Sequence, residues 1–135
     1  MRVLIDTHIF LWLYLEPKRI SDEIKEFVHD RKQNEIYVSD VSGWEISIKY
    51  GTGKLKLPEI PELFVPDRIR RAGFLPLPID FRHVLRVHNL PPIHRDPFDR
   101  LLVSQAQSEN MTIFTADRNI PKYDSKVLEF ENFTT

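Results

Sequence analysis

Short apolar runs alternate along this chain with stretches that repeat near the helical period. Arg2 to Ile5 is a β-branched run ending at Asp6-Thr7, and His8 to Leu15 follows as an apolar segment closed by Glu16-Pro17. The pattern is strand, turn, helix. Ser21 opens an amphipathic stretch with Ile24, Phe27 and Val28 on one face and charges opposite. Glu35 to Ser39 is a second strand-like run. Ser42-Gly43-Trp44-Glu45 has the S-x-x-E form of a capping box. A helix is expected to start there, with Trp44 and Ile48 turned inward, and to end near Gly51 or Gly53. Pro58, Pro61, Pro66, Pro76 and Pro78 break the middle into short pieces and leave one expected helix over 67–71. Phe81 to Asn89 is another short helical stretch. Asp96 then suits an N-cap and Pro97 a first helical position, with Phe98, Leu101, Leu102 and Ala106 facing a core. Met111 to Thr115 reads as a strand ending in Ala116-Asp117, and Val127 to Phe130 as a last short strand. Strands alternating with helices predict an α/β fold with a mainly parallel central sheet flanked by helices, as one domain over residues 1–135.

That architecture gives four acids a common address. Asp6 and Asp117 close strands, Glu45 falls just past another strand, and Asp99 sits in the first turn of the helix opened by Asp96. In open α/β sheets the ligand crevice lies beyond the carboxyl ends of the strands. Each acid also has a local explanation. Asp6 could cap the first helix, Glu45 could complete the Ser42 box, Asp96 and Asp99 could be a capping pair, and Asp117 a turn residue. A shared edge for all four points instead to a divalent-cation site, since hard oxygen ligands suit Mg²⁺ or Mn²⁺.

Composition narrows the partners. The formal net charge is −1, so no global nucleic-acid signature is present. Between Pro66 and Arg100, however, seven arginines stand against four aspartates. Arg68, Arg70, Arg71 and Arg95 are therefore candidates for contact with an RNA backbone, with a solvated helix face as the alternative. There is no cysteine, which excludes disulfides and thiolate metal sites. The longest apolar run, Ile9 to Leu15, is too short to span a bilayer, and no basic leader precedes the first strand. The expectation is a cytoplasmic protein. That same run carries more large apolar side chains than one buried stripe needs, which makes part of it a candidate subunit or partner surface, with core packing as the default. His94 is a loop or cap histidine, or a phosphate contact, and Lys49 an i,i+4 partner of Glu45 that would neutralise an acidic pocket.

Val3-Leu4-Ile5-Asp6-Thr7-His8, Ser42-Gly43-Trp44-Glu45-Ile46, His94-Arg95-Asp96-Pro97-Phe98-Asp99-Arg100-Leu101-Leu102 and Thr115-Ala116-Asp117 together resemble the PIN-domain family. More narrowly they resemble the VapC-type toxin ribonucleases of prokaryotic toxin–antitoxin pairs. The resemblance covers essentially the whole chain. It implies a metal-dependent endoribonuclease that acts on RNA with Mg²⁺ or Mn²⁺, pairs with an antitoxin protein and forms a homodimer. By motif position Asp6, Glu45 and Asp99 match the three core acids and Asp117 the more variable fourth. Thr115 matches a small hydroxyl residue near the metal, and Asp96 a residue of the subgroup. Ile120 stands where many relatives carry an aromatic, which implies a packing difference. Two other classes stay open at this point. One is a non-catalytic PIN-like module that binds RNA or protein. The other is a receiver-type phospho-acceptor domain, although that would want paired acids after the first strand and a lysine after a late one. Cleavage of DNA also stays open.

Overall fold

β1 (Arg2–Ile5) lies at the centre of a five-stranded parallel sheet in the computed structural model of the chain. Residues 1–93, 95–123 and 125–133 are described, the side chain of Asn132 excepted. β2 (Glu35–Ser39) and β3 (Leu75–Leu77) extend the sheet on one side of β1, and β4 (Thr112–Thr115) and β5 (Val127–Glu129) on the other. The order β3-β2-β1-β4-β5 therefore reverses direction between β1 and β4. Leu4 is in register with Tyr37 on one side and Ile113 on the other, so the carboxyl ends of the three central strands share one edge.

Side chains alternate across the sheet as a buried parallel strand demands. Val3, Ile5, Ile36, Val38 and Phe114 join one core with α1 (Thr7–Leu15) and α2 (Asp22–His29). Leu4 and Ile113 join a second core with Leu102, Val103 and Ala106 of α6 (Pro97–Ser108). Ile120, where the resemblance implies an aromatic, is fully buried in that second core. α5 (Phe81–Leu85) packs against α6. Arg100 ties the start of α6 down by donating to the carbonyls of Val87, Leu90 and Pro91.

Four expectations need correction. The helix α3 (Asp40–Gly51) starts directly off β2, with the Ser39 hydroxyl accepting from the Val41 N–H, so Ser42 is no cap. Its buried stripe is Val41, Ser42, Glu45 and Ile46. Trp44, about 100° around the helix from Glu45, is 50% exposed, and Ile48 is exposed as well. In the middle of the chain α4 (Pro61–Ala72) is one continuous helix with Pro66 inside it. Pro61 takes the first helical position, where no N–H is needed. Pro66 and Glu62 both lie on the exposed face, so water can take the carbonyl that Pro66 leaves without a donor. The short strand β3 contains Pro76, tolerated because β3 is an edge. α1 takes the default core packing, with Trp12, Leu13, Tyr14 and Leu15 half-buried against the chain's own core. Trp12 packs edge-on against Phe130 with centroids 5.2 Å apart, under the Arg19 guanidinium at 4.0 Å. Exposed apolar side chains on helices lie on α3, α4 and α5: Trp44, Ile48, Leu63, Phe81, Val84 and Leu85.

Candidate active site

The reversal between β1 and β4 is a topological switch point, where adjacent crossovers leave to opposite faces and open a crevice. Asp6 stands there, one residue past β1 and 2% exposed. Its Oδ1 accepts from the Ile9 N–H at 2.9 Å and so caps α1. Its Oδ2 accepts from the Thr115 hydroxyl at 2.6 Å and from the Ala116 N–H at 3.1 Å. Burial pushes the Asp6 carboxyl above its ordinary 3.8, against the pull of those hydrogen bonds. Thr115 in turn accepts from the Asp117 N–H at 2.9 Å, and Asp117 Oδ1 takes the Asn119 N–H at 2.7 Å in a local turn. Asp6, Thr115 and Asp117 thus form one hydrogen-bonded unit across the switch point.

Glu45 comes from the second turn of α3 and is 1% exposed. Lys49, one turn later, donates from Nζ to Oε2 at 2.6 Å. The other oxygen, Oε1, is buried and has no hydrogen-bond partner among the described residues. Such a group costs stability unless something else satisfies it. The Thr7 hydroxyl donates to the Ser42 hydroxyl at 2.8 Å, which joins the residue after Asp6 to the residue one turn before Glu45. The Ser39 hydroxyl at the end of β2 likewise donates to the Gln105 side chain on α6.

Asp99 lies in the first turn of α6 and is 8% exposed. Asp96 is the N-cap, as its position before Pro97 predicts, accepting from the N–H groups of Phe98 at 2.8 Å and Asp99 at 3.3 Å. The helices that carry Glu45 and Asp99 meet beside those acids, where Trp44 and Phe98 pack edge to face at 4.8 Å. The structure therefore brings the neighbourhoods of Asp6, Glu45, Asp99 and Asp117 to one sheet edge. Among the described residues, no three carboxylates or imidazoles converge with the spacing to hold one ion. Mg²⁺ keeps several waters and takes one or two carboxylates directly. The donor set, all oxygen with one buried oxygen lacking a partner, fits such a cation.

The basic candidates stand elsewhere. Arg68, Arg70 and Arg71 of α4 converge on Asp67, and Arg68 also pairs with Glu59 and lies over the Phe64 ring. Arg95 is exposed beside the N-cap of α6. His94 lies outside the described residues. Sequence reasoning singled out Lys49 but missed the Thr7–Ser42 and Ser39–Gln105 bonds, whose partners are far apart in the chain.

The PIN domain family model matches residues 3–126. Ribonuclease VapC16 of Mycobacterium tuberculosis (strain ATCC 25618 / H37Rv) is 43% identical over 70 residues, a match that takes in 50% of this chain and 49% of that protein. The chain thus aligns with about half the length of that relative. VapBC2 from Rickettsia felis, solved bound to a DNA fragment from their promoter, superposes with a TM-score of 0.74 at 18% identity, covering 96% of this chain and 99% of that one. DNA-bound VapBC from Salmonella typhimurium superposes with a TM-score of 0.68 at 17% identity, covering 96% and 98%. Among the described residues, no helix is long and apolar enough to cross a membrane.

Proposed function

We propose that this chain, which belongs to the PIN domain family, is a metal-dependent endoribonuclease and the toxin of a toxin–antitoxin pair. The observation that carries the reading is a pair of buried carboxylates, Asp6 and Glu45, at and beside the switch point, one of them with an unpartnered oxygen. Carboxylates are kept in such a place at a cost in stability, which a bound cation would offset. The likeness to Ribonuclease VapC16 supports RNA as substrate. The VapBC complexes among the solved relatives support an antitoxin partner.

Asp6, Glu45 and Asp99 would hold Mg²⁺ or Mn²⁺, and Asp117 would hold a second ion or orient water. When bound, the cation lowers the pKa of a coordinated water and offsets charge on the phosphoryl oxygens. The chain's own residues supply position. Thr115 donates to Asp6 and accepts from the Asp117 backbone, so its hydroxyl is committed to orientation rather than attack. Asp96 fixes the first turn of α6 and with it Asp99. The RNA backbone would run past exposed Arg95, Arg70 and Arg71. Under this reading the protein works in the cytoplasm. It pairs with a second copy through apolar side chains left exposed on α3 and α5, such as Trp44, Phe81 and Leu85.

The test is cleavage of a structured RNA by the purified protein with Mg²⁺ or Mn²⁺, and its arrest by EDTA. Attack by water leaves 5′-phosphate and 3′-hydroxyl ends. A 2′,3′-cyclic phosphate product would overturn the mechanism.

A further inference from the structure

Lys49 has one half of an assignment and room for another. Its backbone is fixed, because its carbonyl accepts from the N–H groups of Lys54 at 2.9 Å and Leu55 at 3.2 Å where α3 ends. Its ammonium, 38% exposed along with the rest of the side chain, reaches one turn back to the buried Glu45. An i,i+4 pair between two exposed side chains is worth little and is easily exchanged. Here the acid is enclosed and, among the described residues, has this one cation, on one of its two oxygens. The ammonium stands where a divalent cation on Glu45 would repel it. Next to it lies a cavity of about 300 Å³ whose lining includes His8, Trp12, Lys49 and Lys54. The cavity opens beside the site, since Lys49 lines it, and carries three basic side chains, His8, Lys49 and Lys54, against one acid, Glu16, the rest of its wall being the apolar Leu11, Trp12, Leu15 and Leu55.

We propose that Lys49 is a tethered counter-ion of this site. Its ammonium holds Glu45 until a divalent cation takes that carboxylate, then moves into the adjoining cavity, where with His8 and Lys54 it binds a phosphate of the RNA strand. The proposal rests on the metal-dependent reading above. It gives the chain a way to keep a buried glutamate compensated at all times. It also makes a phosphate contact available only when the cation is in place.

Lys49→Met keeps the aliphatic stem and removes the charge. Calorimetry with Mn²⁺ alone should show binding about tenfold tighter than in the unmodified protein, because a competitor is gone, while KM for RNA at saturating Mn²⁺ rises. Lys49→Arg should restore both values toward the original. Should the methionine variant fail to fold, NMR of the lysine ε-methylene groups in the unmodified protein reads the same event, since the Lys49 signal should shift as Mg²⁺ is added. Unchanged or weaker Mn²⁺ binding in Lys49→Met, or an immobile Lys49 signal, overturns the counter-ion role. An unchanged KM overturns the phosphate contact. If the unmodified protein binds no Mn²⁺, the functional reading fails with it, whereas equal Mn²⁺ affinity in both proteins sinks this inference alone.

Discussion

At the end of β1, Asp6 is surrounded by donors: the Ile9 and Ala116 N–H groups and the Thr115 hydroxyl occupy both of its oxygens. On α3, Glu45 is as deeply buried but, among the described residues, has Lys49 on one oxygen and nothing on the other. The first carboxylate is built into the fold, since it caps a helix and ties β1 to β4. The second is not, and the fold carries it at a cost. The difference separates two duties that the four acids share on paper. Removing Asp6 must disturb structure and chemistry together, whereas changes at Glu45 should touch chemistry alone.

The largest effect expected follows from that separation. Glu45→Gln and Asp99→Asn keep size and lose charge. Each should fold normally, melting within about 3 °C of the original. Each should lose more than about 100-fold in cleavage, beyond what losing a second-layer partner of a metal ligand costs. Wild-type cleavage by both variants in limiting metal would return these residues to the role of caps and core acids.

Thr115→Val sharpens the other half. It removes the donor to Asp6 Oδ2 and the acceptor of the Asp117 N–H while keeping shape. Cleavage should fall roughly 10- to 100-fold, together with a loss of about 1 kcal/mol in stability. Loss of stability without loss of rate would mean that the Asp6 unit is scaffolding only. Ser42→Ala should be milder. It strands the Thr7 hydroxyl and costs about 1 kcal/mol, read by urea titration, with little change in rate.

The position of Asp6 was legible in the sequence because a β-branched run followed by an acid and an apolar helix leaves few places for that acid to go. Asp117 was legible because the strand run Met111 to Thr115 ends just before it. Asp96 was legible from its neighbour Pro97. Glu45 was picked out as a residue but set in the wrong turn, because S-x-x-E looks like a cap and nothing local reveals that Ser39 has already capped the helix. α4 and β3 were hidden by Pro66 and Pro76, whose effects depend on facing solvent or lying on a sheet edge. The hydrogen bonds from Thr7 to Ser42 and from Ser39 to Gln105 exist only once distant segments pack. The arginine cluster showed the limit of counting charge, since one aspartate, Asp67, gathers three of the seven.

The smallest expected effect is on pH dependence. Folding raises the Asp6 carboxyl above 3.8, chiefly by burial, so the fold favours its neutral form. Its contribution to stability is complete below 3.8 and is lost as pH rises through the raised value. In EDTA, the unmodified protein should therefore lose more stability than Asp6→Asn as pH climbs from below 4 toward neutrality. Mg²⁺ should reduce the difference by favouring the ionised form. Parallel melting curves for the two proteins across that range would show that burial of Asp6 carries no such cost.

The central claim is that one cation site lies at the β1–β4 switch point and draws on Asp6 and Glu45. Anomalous scattering from crystals soaked in Mn²⁺ tests it directly. A peak is expected at about 2 Å from a carboxylate oxygen of Asp6 or Glu45, lost in Glu45→Gln crystals treated alike. A peak elsewhere in the molecule with none at that edge, or one that survives unchanged in Glu45→Gln, would contradict it.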